Sequence, residues 1–393
     1  MTAACVFLIG VHKPQHNWDG IGYVASAYQA DGYSGQALLR KTYADLRADV
    51  SADTYSTLTG GGEFGQYRAA VATDPKALSE QLPPYSSRVV YVGLIRLART
   101  FLPSYTKATY VISATFAALS TVVLARLLLL FGVNIVALPF LAIVTGITQL
   151  ASLSTPDSFA LFVALLCVAA AVEDSPLSLV FAAALPLIRT DFIFVSVLVL
   201  SLELLLGKRV IATCAALLFA IASYVVVTSW SKSYGLLTLI NVAMNITPYP
   251  AELRPSTHLS DYAKIYLQTA MQLLASKDFL IYFVASYLLW TRIKAGTGRI
   301  QWNVAYATEQ IRNNREFTLI FAIPMLYLGI HLLLFPNFEA RYFTFNATLV
   351  SVWILSDRTR SGLILGTVEE REPAVSAPLA ASRASESRSL ERS

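Results

Sequence analysis

The chain is poor in charge. Asp, Glu, Lys and Arg make up 14% of its 393 residues, against about 25% in an ordinary soluble domain. Cysteine and histidine are scarce as well. Cys5, Cys167 and Cys214 lie far apart, each in an apolar run, and read as small buried side chains and not as a disulfide framework or metal site. His12, His16, His258 and His331 have no Cys or His partner at ligand spacing, and "HKPQH" alone is no metal motif. No P-loop, GxSxG, HExxH or GxGxxG stands in the chain. "GGGEFG" at 60–65 sits in a polar loop with no strand before it and reads as a turn, not a phosphate cradle. The net charge of +5 is no nucleic-acid signature, because basic loops on one side of a membrane give the same number.

What is present is apolar: 55% of the residues are hydrophobic. Runs such as "VISATFAALSTVVLARLLLLFG" and "VIATCAALLFAIASYVVVTSW" have roughly the 20 residues that a helix needs to cross ~30 Å of hydrocarbon. The expected fold is all-α, a polytopic transmembrane bundle of about ten membrane segments, near 2–12, 107–131, 133–151, 157–172, 177–188, 190–206, 210–229, 279–292, 317–335 and 341–356. Residues 2–12 are short for a span, and a cleaved signal peptide does not fit, since no basic n-region or A-x-A site appears. The short 177–188 segment, with "RTD" after it, reads as half of a hairpin.

Residues 1–356 form the expected membrane domain, and 357–393, rich in Ala, Ser, Glu, Arg and Pro, an expected disordered cytoplasmic tail. With a cytoplasmic N-terminus, Lys208, Arg209, Arg292, Lys294, Arg299, Arg312, Arg315, Arg358 and Arg360 fall inside. Arg189, Lys232, Arg254, Lys264, Lys277 and Arg341 fall outside over a longer length. The first extracytoplasmic loop, 13–106, carries interfacial helices; in the second of these, Val89, Val92, Gly93, Leu94 and Leu97 form an apolar stripe opposite Arg96 and Arg99. A second large loop, 230–278, ends in another amphipathic stretch.

This topology brings five polar elements to one face: Asp19, "YSSR" (85–88), "STPD" (154–157), "IRTD" (188–191) and "PNFEARYF" (336–343). Charges near membrane depth are costly and usually pair or work. Most have a structural reading beside the functional one. Asp157 and Asp191 suit helix N-caps; Arg189 and Arg341 suit snorkelling to head groups; Tyr85 and Tyr342 suit an aromatic belt. His331 suits a packed histidine. Asp19 resists such a reading, since no apolar helix that it caps follows at once and no basic residue stands within a turn.

A short first helix, an Asp in a long extracytoplasmic loop with surface helices, and Pro-Tyr-x-x-Arg before the second span together resemble the C-type (GT-C) membrane glycosyltransferases. "TPD" entering a mid-chain helix, the Arg-x-Asp of the hairpin and "ARY" before the last span extend the likeness over about residues 1–356. The chain departs from the family's acidic pair in offering a lone Asp19, with Asp31 twelve residues on. The resemblance implies a bacterial inner-membrane enzyme with its site on the extracytoplasmic side. It would move a sugar from a polyprenyl-phosphate donor to a glycan, lipid or protein acceptor, with the bilayer as its other partner. Asp19 would be the base; Arg88, Arg189 and Arg341 would hold phosphate. Tyr85 and Tyr342 would orient the sugar, and Asp157 and Asp191 would orient other groups. No cofactor is required, and a divalent cation is left open. A single site demands that Asp19 lie within about 10 Å of Arg88, Arg189 or Arg341. Two other classes stand beside this one. A transporter or flippase of lipid-linked sugars would show two related halves and polar span interiors, here limited to Arg126, Asn134, Glu203 and His331. A non-catalytic membrane subunit of an envelope polysaccharide assembly would use the polar face only to bind.

Overall fold

The computed structural model describes residues 1–62, 64–295, 311 and 314–356, with side chains omitted for 292–295. The expected tail from 357 and much of the basic segment 292–316 lie outside the described residues. Every apolar run becomes helix, and among the described residues no strand forms; Gln15 and Leu153 share one isolated bridge.

Among the described residues, three helices are long and apolar enough to cross a membrane: Tyr105–Leu130 (26 residues), Val210–Trp230 (21) and Arg315–Leu334 (20). A fourth arises if Leu259–Ala275 and Asp278–Thr291, bent by 85° at their junction, count as one. This corrects the expectation of about ten membrane segments. The remaining apolar helices, among them Thr2–His12 (11 residues), Asp157–Val172 (16) and Leu177–Ile188 (12), fall short of full-span length. The causes are local. Gly146, left-handed at φ +88°, splits the 133–151 run into Leu138–Val144 and Ile147–Ser152, while "STPD" and "RTD" end their neighbours.

Tyr105–Leu130 is the central helix, packed by Thr2–His12, Ile147–Ser152, Asp157–Val172 and Val89–Ala98. Close approach requires Gly10: a Cβ there would lie 2.4 Å from the Ala151 carbonyl oxygen and 2.6 Å from the Ala114 Cβ. Small residues at such crossings let dispersion contacts accumulate where lipid supplies no hydrophobic drive. Val210–Trp230 is the opposite case. Only Thr213, Ala220 and Val227 of it are buried. Cys167 is buried as expected, but Cys5 and Cys214 are exposed on the outer sides of their helices.

The first loop is more than a set of surface helices. Ile21, Leu38, Leu39, Leu46, Leu58 and Leu78 form a core of their own, so 13–106 is a packed helical cap. Its last helix, Val89–Ala98, buries Tyr91, Val92 and Ile95 and leaves Leu97 exposed, which rotates the packing face away from the expected stripe. The second large loop docks on this cap through Lys76–Glu252 (2.6 Å) and Tyr249 Oη donating to Asp74 (2.6 Å). At the other end of the bundle a second polar layer forms. There Arg126 forks onto Glu173, Lys208 pairs with Asp174 (2.7 Å) and Arg315 with the buried Glu203 (2.7 Å).

Candidate functional site

The helix Asp19–Ala30 begins at Asp19 itself, which corrects the reading that no helix follows at once. The carboxylate thus sits in a first turn, where the helix dipole favours negative charge. It accepts hydrogen bonds from Arg341 Nη1, from Tyr85 Oη (3.0 Å) and from Asn17 Nδ2 (3.1 Å). Asn17 Oδ1 in turn accepts from the Ser154 backbone N–H (2.9 Å), which ties Asp19 to the "STPD" turn. Tyr85 reaches Asp19 because position 22 is glycine. A Cβ at Gly22 would come within 2.5 Å of the Tyr85 ring.

Arg341 lies in the short helical turn Ala340–Phe343. Besides Asp19 it binds Glu339 through Nε (2.6 Å), donates to the Tyr342 hydroxyl (3.1 Å) and stands 3.9 Å from Asp157. Asp157 also accepts from Arg189 Nη1. Arg189 closes the chain of charges by forking onto Asp191 through Nε (2.9 Å) and Nη2 (2.7 Å). Asp191 further accepts from Tyr327 Oη (2.8 Å) and lies 3.5 Å from His331 Nδ1. The guanidinium of Arg189 stacks 5.0 Å from the Tyr342 ring.

Seven of the residues singled out in the sequence therefore meet in one network drawn from five distant stretches: Asp19, Tyr85, Asp157, Arg189, Asp191, Arg341 and Tyr342. Arg88 stands apart. Its Nη1 donates to the Pro84 carbonyl and to Ser87 Oγ (2.6 Å), and its Nε is buried without a partner. Its charge still acts on Asp19 across that gap.

Apart from that of His331, the structural readings of these residues do not hold. Asp157 opens its helix but makes no cap hydrogen bond, and neither does Asp191. Arg189 is 5% exposed and points inward, not to head groups. Arg341 is likewise turned into ion pairs, and the hydroxyls of Tyr85 and Tyr342 face the network, not an interfacial belt. His331 is packed, as read, among Tyr327, Phe335, Tyr342 and Phe343, and is also turned toward Asp191. Asn17, Tyr327 and Glu339 were missed. Asn17 and Glu339 each lie two residues from a singled-out charge, a signal within reach; Tyr327 lies mid-helix with no mark in the pattern.

Burial alone would raise the Asp19 pKa. The Arg341 charge, hydrogen bonds from Arg341 and Tyr85, and the more distant Arg88 charge outweigh it and hold the carboxyl below its usual range. Burial, helped by the Asp19 charge, pushes the Tyr85 phenol well up, so it stays a hydrogen donor. Among the described residues, no group of three or more His, Cys, Asp or Glu side chains is placed to hold a metal ion. Comparisons with protein-family models, with curated proteins and with solved structures find no match.

Proposed function

We propose that the chain is an integral membrane glycosyltransferase that moves a sugar from a polyprenyl-phosphate donor to an acceptor hydroxyl, with Asp19 as base. The observation that carries this reading is Arg341, which links the Asp19 carboxylate to Asp157 and, through it, to Arg189. A base and two forked cations thus share one site, the set that such a transfer uses. In the resting protein each guanidinium is already matched by carboxylate. A donor phosphate competes for Arg341 and releases Asp19, coupling donor binding to exposure of the base. Asp19 then takes the acceptor proton, the acceptor oxygen bonds to the anomeric carbon, and the bond from that carbon to the phosphate oxygen breaks, its electron pair leaving on the lipid phosphate.

The Leu259–Ala275 helix offers a berth for the lipid. Leu259, Leu267, Met271 and Leu274 are exposed on it, while Gln272 accepts from the backbone N–H of Phe338 (3.2 Å), beside the Arg341 turn. In this reading the protein sits in a bacterial inner membrane, with the site on the extracytoplasmic face. The test is transfer of label from a panel of polyprenyl-phosphate sugars by purified protein. Transfer lost in Asp19→Asn at normal protein level supports the assignment; full transfer in that variant removes Asp19 as base. Uptake of donor lipid by vesicles without any sugar transfer would support a flippase instead.

A further inference from the structure

Asp278 is fully buried, yet no protein group among the described residues donates to either of its carboxylate oxygens. It stands where Leu259–Ala275 and Asp278–Thr291 meet at 85°. One turn on, Tyr282 is 5% exposed and its hydroxyl also lacks a partner. Asp278, Ile281, Tyr282 and Ala285 form the buried stripe of their helix, whose main neighbour is Thr344–Leu355. That neighbour carries a buried hydroxyl stripe of its own, Thr344, Thr348 and Ser351, in which Thr348 Oγ1 has no partner.

Lys277, the preceding residue, does not satisfy Asp278. A Cβ on Gly146 would lie 3.9 Å from Lys277 Nζ and 3.5 Å from Thr344 Oγ1, so the ammonium extends toward Gly146 and forms no ion pair with its neighbour. A buried unpaired carboxylate is costly and calls for a positive partner. Broken helices in membranes supply such partners, because unwound carbonyls and converging side chains hold small ions there. The available donors are all hard oxygens, which suit alkali and alkaline-earth ions and not thiophilic metals. One carboxylate balances one positive charge; a divalent ion would leave an excess charge buried.

We infer that the junction of these two helices is a binding site for a single monovalent cation of sodium type, held by Asp278 and Tyr282 against the hydroxyl stripe of Thr344–Leu355. The site is separate from the Asp19 network and does not depend on the function proposed for it. Bound sodium would tie the bent pair to Thr344–Leu355 and stabilise the native fold by mass action.

The experiment is thermal unfolding of the full chain in detergent, titrated with sodium chloride against choline chloride at fixed ionic strength. The expected result is a saturable rise of the midpoint with sodium and none with choline. Asp278→Asn, which keeps the shape and removes the charge, should abolish the response. Tyr282→Phe should raise the sodium concentration needed several-fold. Equal responses to sodium and choline, or a sodium response that survives Asp278→Asn, overturn the inference. So does a midpoint that follows pH but ignores sodium, since the group would then carry a proton. If Asp278→Asn does not fold, the wild-type salt comparison and Tyr282→Phe still decide.

Discussion

Arg341 and Asp19 form an ion pair across 322 positions of chain, joining the start of the Asp19–Ala30 helix to the turn before Thr344–Leu355. Replacing Asp19 by Asn leaves Arg341 its bond to Glu339 and its approach to Asp157, so the fold should persist. Under the proposed function the expected loss is roughly 10²–10⁴-fold in sugar transfer, the range of general-base catalysis. Abundance and thermal midpoint measured beside activity separate this outcome from misfolding.

The same pair sets a pH dependence. Because the folded pKa of Asp19 is held below its ordinary value, its stabilising contribution is present above the unfolded carboxylate pKa of about 3.9 and fades as pH falls through the lower folded value. In the wild type, Asp19 should therefore produce no acid limb near neutrality. Arg341→Ala leaves burial opposed only by weaker partners, and the acid limb of residual activity should move upward. A pH profile of kcat/KM for both proteins checks this. An unmoved limb in the variant would mean that another group titrates.

Arg189 lies between Asp157 and Asp191 in a nearly closed environment, with its side chain 6% exposed. Removing the cation strands the buried Asp157 and leaves the half-buried Asp191 to Tyr327 and His331; breaking a buried pair in this way costs about 3–5 kcal/mol. Arg189→Met should lower the thermal midpoint in detergent markedly. The double variant Arg189→Met with Asp157→Asn should recover part of the loss, because one stranded charge is gone. Absence of any recovery would disprove the coupling.

Gly22→Ala should disturb the site without touching a charge. The new methyl would press on the Tyr85 ring at 2.5 Å, whereas Gly93 has nothing within 4 Å of the corresponding place. Gly93→Ala should be neutral or stabilise by about 0.5–1 kcal/mol, as expected for a helical glycine. Transfer activity and thermal midpoint of the two variants, compared side by side, test whether the Tyr85–Asp19 contact matters.

Asp19 and Arg341 could be suspected of sharing a site from sequence because polar residues at the ends of apolar runs must collect at one end of a bundle. That argument located Asp157, Arg189 and Asp191 equally well. It failed for Arg88, whose proline-rich turn bends its guanidinium back onto the Pro84 carbonyl, a local geometry that no periodicity reveals. Span number was misjudged for a similar reason. Apolar composition registers 133–151 as a continuous run, while the left-handed Gly146 divides it. The core of the cap, Leu38 to Leu82, stayed hidden because its short helices bury scattered leucines among many polar residues.

The Val210–Trp230 helix meets the rest of the protein along Thr213, Ala220 and Val227, three positions spaced seven apart. Ile211, Leu218, Phe219, Val225 and Val226 point outward. Its tolerance to change should therefore be sharply one-sided. Exchanges among apolar residues on the outer faces leave its seating alone, whereas enlarging Ala220, which is fully buried, would lift the whole rod from its groove.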